Sequence, residues 1–236
     1  MTLSKGPANR VVRVVAAVAA ASAASVLYAR WIRWRLLTWG ASSEEITRAW
    51  PGDELIPGAN APDFTMATTL PAPPEQVWPW LVQMGAGRAG WYSWDRLDNG
   101  GEPSADRIVP EWQSLQVGQR LNVSPDGQQW MTVAAVEPGR TLVLRATAEL
   151  PSGRSFDPRP ADLPRAYLDG IWGFYLQPAP GGTTRLVAHT HSRNHLGLLG
   201  GPFSLLVGEP AHFIMQSRQF RGLRTRVGTQ AGRGGI

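Results

Sequence analysis

Six short segments of the sequence alternate between apolar and polar residues, and strong turn signals separate several of them. The segments are residues 63–70, 119–123, 129–136, 141–147, 170–177 and 183–193. Because side chains of a β-strand point alternately to its two faces, a period of two predicts strands. Turns are indicated at residues 124–127 (SPDG) and 137–139 (EPG), which carry residues typical of β-turns. Closely spaced strands of this kind favour an antiparallel sheet with one apolar face.

Two segments have helical spacing instead. A short helix is predicted after Pro73 and Pro74, and a long one opens at Glu209-Pro210, because proline is favoured in the first turn of a helix. The apolar residues of the long helix are Phe213, Phe220, Leu223 and Val227. This helix is the one element long enough to cover the apolar face of the sheet. The sequence therefore predicts an α+β fold, a curved antiparallel sheet wrapped around a long C-terminal helix and preceded by an N-terminal membrane helix.

The N-terminal segment has sixteen residues without a charge between Arg13 and Arg30. They span about 24 Å as a helix, a little less than the roughly 30 Å of a bilayer core. Tyr28, Trp31, Trp34 and Trp39 then interleave with arginines, as is typical of a membrane interface. Residues 1–40 are predicted to be a single-pass anchor in the cell membrane. A cleaved secretory peptide and a peripheral amphipathic arm are the alternatives. Three basic residues flank each end, so the orientation stays open.

Composition sets the remaining boundaries. Residues 41–60 are rich in proline, glycine and acids and are predicted to be a linker, residues 61–230 a soluble domain, and residues 231–236 a disordered tail. Residues 1–40 carry six basic side chains and no acid, whereas residues 41–208 have a net charge of −5. A nucleic-acid-binding domain needs its basic surface on the folded body, so no nucleic acid partner is expected. The absence of cysteine excludes disulfides and thiolate metal sites.

Longer strings of residues resemble a known superfamily. PAPPEQVWPWLVQMGAGRAGWYSWDRLDNGG, followed by PSADRIVPEWQSLQVGQRL, resembles the SRPBCC or START-like superfamily, and more closely a bacterial, membrane-anchored, polyketide cyclase/dehydrase-like subgroup. The resemblance covers roughly residues 36–227. It implies a helix-grip fold with an apolar cavity between the sheet and the C-terminal helix. Members include carriers, cyclases and regulators, so the fold does not imply one function.

Candidate ligand-binding residues fall into two groups. The loop of residues 88–113 places charged groups among aromatic rings, and strand or helix parity places further aromatic residues at the cavity wall; eleven tryptophans in the chain supply many such rings. The candidates are Arg88, Trp91, Tyr92, Asp95, Arg107, Glu111, Trp130, Trp172, Phe174 and Phe213. The loop either forms the mouth of a cavity or is a structural arginine–carboxylate network. No catalytic residue is identified.

The predicted function is a membrane-tethered binding protein for a hydrophobic small molecule, either a lipid or a polyketide-like compound. The alternative is a cyclase or hydrolase that uses Asp95, Asp106 or Glu111 as acid or base, and a third interpretation is a structural or regulatory membrane protein. His189 and His191 share one face of a strand; they are interpreted as neutral, solvent-exposed residues rather than a ligand pair. No metal and no cofactor are expected, and the sequence leaves the oligomeric state open.

Overall fold

A computed structural model describes residues 7–158, 163–196, 201 and 203–233 and divides the chain into two units, residues 1–36 and 37–236. From Pro7 onward the first unit is helical: Pro7–Leu27 continues through a π-helical turn, Tyr28–Ile32, into Arg33–Leu37. From Val11 to Leu37 the helix is long and apolar enough to span a membrane. Its 27 residues extend about 40 Å. The continuation past Arg30 therefore supplies the length that the uncharged segment lacks.

The second unit is built on six antiparallel strands: β1 (Phe64–Leu70), β2 (Arg120–Asn122), β3 (Trp130–Glu137), β4 (Thr141–Glu149), β5 (Tyr167–Ala179) and β6 (Thr183–His195). Their spatial order is β1-β6-β5-β4-β3-β2. The register shifts between Val133 and Ala135 of β3, and an irregularity of this kind bends a strand. All six predicted strands are confirmed, as is the curved antiparallel sheet.

Short helices connect the strands: Ser43–Thr47, Pro74–Val82 and Asp95–Asp98, together with the 3-10 turns Asp53–Leu55 and Pro110–Trp112. A π-helical turn, Ser204–Gly208, leads into the C-terminal helix, Glu209–Arg233. This long helix confirms the prediction. It includes the first three residues of the predicted tail, and residues 234–236 lie outside the described part of the chain.

One face of the sheet packs against the second half of the C-terminal helix. Phe220, Leu223 and Val227 of the helix are buried in a single apolar cluster. The sheet contributes fully buried side chains to the same cluster, namely Met66, Leu142, Leu144, Phe174 and Leu186. Burial of such side chains stabilises the fold by about 1.5–3 kcal/mol each. The helix is therefore held on the sheet by its second half.

The opposite face of the sheet is covered by residues 41–60, so the prediction of a linker for this segment is corrected here. Trp50 and Ile56 are buried there, and the Trp50 ring lies 4.4 Å from that of Tyr175. Glu45 caps its own helix through Ser42 and accepts hydrogen bonds from Arg185 at 2.7 and 2.8 Å. Burial raises the pKa of Glu45, but the hydrogen bonds from Arg185 and Ser42 outweigh it and lower the pKa overall. The polar residues of this segment therefore supply a helix cap and an ion pair, while the segment as a whole covers the sheet.

We expect Gly222→Ala to destabilise the protein by about 1–3 kcal/mol. A Cβ at Gly222 would overlap the carbonyl oxygen of Tyr92, and a rigid backbone atom cannot move aside cheaply. Gly228→Ala is the matched control on the same helix, because its Cβ would meet only Pro71 Cγ at 3.7 Å; alanine there should stabilise the helix by about 0.5–1 kcal/mol. Thermal unfolding of both variants measures the difference. Equal stability of the two variants would contradict this close approach.

Candidate functional site

The first half of the C-terminal helix does not close on the sheet. A cavity of about 410 Å³ remains between them, within the range of small-molecule binding sites, about 300–1,000 Å³. The sheet supplies mainly apolar wall residues, the helix supplies His212, Met215, Gln216 and Gln219, and the loop after the helix Pro74–Val82 supplies Trp91, Ser93 and Asp98. Wall residues of the sheet include Phe64, Met131, Ala146, Leu168 and Trp172.

A chain of hydrogen bonds fixes the separation between the first half of the C-terminal helix and the sheet. The Trp172 indole N–H donates to Gln216 at 3.0 Å, Gln216 donates to Gln219 at 2.8 Å, and Gln219 donates to the carbonyl oxygen of Trp91 at 3.1 Å. The two glutamines are 2% and 1% exposed. Buried amides are costly without partners. Each of these groups therefore restricts the position of the next, and the chain links sheet, helix and loop.

The loop that contains Trp91 also contacts the second half of the C-terminal helix. Arg226 donates to the carbonyl oxygens of Ala105 and Ser104 at 2.6 and 2.9 Å and lies 4.7 Å above the Tyr92 ring. Tyr92 itself has a positive φ of 58°, an uncommon conformation for a residue with a side chain. Its hydroxyl donates to Trp80 O and accepts from Gln83, and burial raises its pKa. Tyr92 is thus a structural anchor of the loop.

Two polar groups in the cavity wall have no hydrogen-bond partner among the described residues. The indole nitrogen of Trp91 and both carboxylate oxygens of Asp98 are buried without a hydrogen bond to any residue that the structure describes. The backbone N–H groups of Trp94 and Asp98 and the Ser93 hydroxyl lie close enough to the Asp98 carboxylate to favour its charged form. The Ser93 hydroxyl, however, donates to Met215 O at 3.1 Å, and Asp98 N–H donates to Trp94 O at 3.1 Å. Burial, followed by repulsion from Asp95, raises the pKa of Asp98.

His212 is the remaining titratable ring of the wall. Burial lowers its pKa to about 4, so the ring is neutral near pH 7. It lies 4.2 Å from the Phe64 ring. The ring lines the cavity. In the part of the wall that the structure describes, the acids are Asp98 and Glu209, and neither lysine nor arginine is present.

Of the ten ligand-binding candidates, the cavity brings together Trp91 and Trp172. Their rings stack with centroids 5.6 Å apart, and both line the wall. The Phe174 and Trp172 ring centroids are 4.7 Å apart, but Phe174 lies deeper, in the core. The Phe213 ring packs edge-on against that of Trp39, with the ring centroids 6.4 Å apart. Trp130 is not part of the wall, because the next residue of β3, Met131, faces the cavity and neighbouring side chains alternate; Trp130 stacks with Arg120 instead.

The charged candidates of the loop also lie outside the wall. Arg88 donates to the carbonyl oxygens of Val82 and Trp112 at 3.0 and 2.9 Å. Asp95 accepts from Ser104 at 2.6 Å. Arg107 and Glu111 are exposed. These contacts hold the loop in place, but they run to backbone carbonyl oxygens and from a serine hydroxyl, so they are not the arginine–carboxylate pairs of the structural-network interpretation. The carboxylates on which the enzymatic alternative was based, Asp106 among them, do not line the cavity.

Sequence reasoning missed the polar wall residues Asp98, His212, Gln216 and Gln219. A signal was present for one of them: Gln216 falls between Phe213 and Phe220 at helical spacing, so it interrupts an apolar face with an amide. Asp98 carries no comparable signal, because acids are ordinary in loops and its burial depends on how the loop folds over the helix.

His189 and His191 lie on the face covered by residues 41–60, so the expectation that they are solvent-exposed does not hold for His189, which is 3% exposed. Its two ring nitrogens lie 2.9 Å from Thr65 Oγ1 and 3.1 Å from Asp53 Oδ1. His191 Nδ1 lies 2.9 Å from Asp63 Oδ1. Asp53 and both histidines could present ligand atoms within 4.8 Å of one another. Hydrogen bonds within the protein already account for the orientation of both rings.

No protein family and no curated protein matches this chain by sequence. Among solved structures, it is similar to a protein of Mesorhizobium loti at 20% identity, over 70% of this chain and 97% of that one, with a TM-score of 0.38. A protein of Arthrobacter aurescens matches at 13% identity, over 78% of this chain and 92% of that one, with a TM-score of 0.40. A hypothetical protein of Helicobacter pylori matches at 14% identity, over 75% of this chain and 94% of that one, with a TM-score of 0.45.

We expect Asp98→Asn to raise the melting temperature at pH 7. Because the folded state raises the pKa of Asp98, ionisation of this group destabilises the fold above the folded pKa and has no effect below the ordinary value of 3.8. Asparagine removes that charge, so a gain of about 2 °C or more is expected, and it should disappear at pH 3.

The matched control is Asp106→Asn, because Asp106 is an exposed acid of the same loop. Its melting temperature should stay within about 1 °C of the parent protein at both pH values. A lower melting temperature of Asp98→Asn at pH 7 would show that Asp98 has a stabilising partner.

Proposed function

We propose that this protein is a membrane-tethered binding protein for a hydrophobic small molecule held between the sheet and the C-terminal helix. The observation that carries the proposal is the cavity of about 410 Å³, because voids in a well-packed protein interior are seldom larger than a water molecule. Its wall is mainly apolar, and the stacked rings of Trp91 and Trp172 give it large, rigid surfaces that suit a small apolar guest.

The apolar N-terminal helix, Val11–Leu37, is the proposed single-pass anchor in the cell membrane. A helix of this length and composition suits a bilayer, and tryptophans and arginines at its C-terminal end suit the interface. Tethering would hold the binding domain at a surface where apolar compounds are concentrated.

The proposal also places the chain in the SRPBCC or START-like superfamily, in its polyketide cyclase-like branch. The residues quoted for that resemblance include Trp91 and Asp98, which line the cavity. A lipid and a polyketide-like compound are both guests of the proposed class. The function stated is binding, since the acids on which the enzymatic alternative depended lie elsewhere.

The full chain tests the proposal directly. We expect the protein in the carbonate-washed membrane fraction, and we expect native mass spectra of the extracted protein to show a bound apolar molecule or uptake of added 1-decanol. Calorimetry in phosphatidylcholine nanodiscs, with the heat of empty nanodiscs subtracted, measures the decanol affinity.

Met215→Trp should weaken decanol binding by about tenfold or more, which corresponds to about 1.4 kcal/mol, because the larger side chain fills the cavity that Met215 lines. Ile214→Trp is the matched control: it is the neighbouring residue, is 51% exposed, and is not part of the cavity wall. Equal affinity of the two folded variants, or no decanol binding by the parent protein, would overturn the proposal.

A further inference from the structure

The cavity has an uneven distribution of charge. Its described wall contains two acids, Asp98 and Glu209, and one histidine, His212, which is neutral near pH 7. With no lysine or arginine among these residues, the wall offers nothing to pair with the carboxylate of a fatty acid. A negatively charged guest would lose its hydration and gain no opposite charge in return. Neutral and cationic guests do not have this penalty.

Two groups of the wall need partners of opposite kinds. Trp91 is 3% exposed, and its indole N–H donates to no described residue. An indole N–H is a donor and nothing else, so it requires an acceptor. Both oxygens of Asp98 are likewise buried without a hydrogen bond to any described residue, although the backbone N–H of Trp94 and the Ser93 hydroxyl lie near them. A carboxylate accepts, so Asp98 requires a donor. Groups left unsatisfied in this way in a native protein call for an explanation.

The neighbouring side chains do not supply these partners. Gln219, which lies next to Trp91, donates to the Trp91 backbone oxygen and accepts from Gln216. The indole N–H of Trp172, the ring stacked on Trp91, is donated to Gln216. The hydroxyl of Ser93 is directed to Met215 O. The wall residues that could turn towards the two groups are thus already engaged with each other.

We infer that the ligand is an apolar amine that carries an oxygen on the carbon next to the amine-bearing carbon. Its ammonium group binds Asp98, and its oxygen accepts a hydrogen bond from the Trp91 indole N–H. The inference rests on the proposed function and names its ligand class. An ammonium group donates up to three hydrogen bonds and neutralises the carboxylate. Aromatic faces such as those of Trp91 and Trp172 attract a cation further. The apolar chain of the guest lies against the apolar wall of the sheet.

Four probes with the same ten-carbon chain separate the contributions: 1-aminodecan-2-ol, decylamine, 1-decanol and decanoate. They are titrated into the full-length protein in phosphatidylcholine nanodiscs, with the heats of empty nanodiscs subtracted. The parent protein should bind decylamine about tenfold or more tightly than decanol, because a hydrogen bond to a charged group is worth more than a neutral one. Aminodecanol should bind more tightly still, and decanoate more weakly than decanol.

Variants assign the preference to its residues. Asp98→Asn should remove the advantage of decylamine over decanol, whereas Asp106→Asn should keep that advantage. Trp91→Phe removes the N–H and keeps an aromatic ring, so it should remove the advantage of aminodecanol over decylamine. Met215→Trp should weaken all the probes that bind, which places them in the cavity.

Two results would overturn the inference. One is decanoate binding as tightly as decylamine; the other is an amine preference that survives in folded Asp98→Asn. If decanol still binds in either case, the proposed function stands and only the ligand class is wrong. If none of the four probes binds, the proposed function and the inference fall together.

Discussion

The close approach of the C-terminal helix to the loop after residue 85 is the constraint on which the site depends. At Gly222 the helix backbone lies against Tyr92, and a side chain would overlap the Tyr92 carbonyl oxygen. Tyr92 adopts a left-handed conformation there and is held by Arg226 from the helix. Since this half of the helix is fixed, and its apolar residues fill the core, the other half has to follow a direction that leaves the sheet. The cavity is the space between them.

The same arrangement explains why polar residues occupy the cavity wall. Gln216 and Gln219 connect Trp172 to the backbone of Trp91, so they act as spacers where larger apolar contacts would draw the helix onto the sheet. Asp98 and the Trp91 indole lack such partners among the described residues, and each buried, unsatisfied group costs about 1–3 kcal/mol. Stability given up at a site that could bind a ligand is a familiar compromise in functional proteins. Residues 41–60 and the ion pair of Glu45 with Arg185 stabilise the sheet from its other face.

Local patterns were sufficient to predict the strands and the C-terminal helix, because period-two alternation, turn residues and an N-terminal proline act over a few residues. They were not sufficient for the site. Trp91 and Trp172 were found as large aromatic residues, but Trp130 and Met131 differ by a single position in a strand, and parity near an irregular strand is not fixed by sequence alone. Asp98 becomes a wall residue only through the fold of its loop. Residues 41–60 have the composition of a linker, and their capping box and buried Trp50 become informative only when the sheet beneath them is present.

The most direct test of this account is a crystal structure of the full-length protein grown with 10-bromo-1-decanol, with the bromine located by its anomalous scattering. The account requires one strong bromine peak between the sheet and the first half of the C-terminal helix, within reach of Trp91, Trp172 and Met215. A helix closed onto the sheet, with Met131 and Met215 filling the space and no bromine in it, would contradict the central claim.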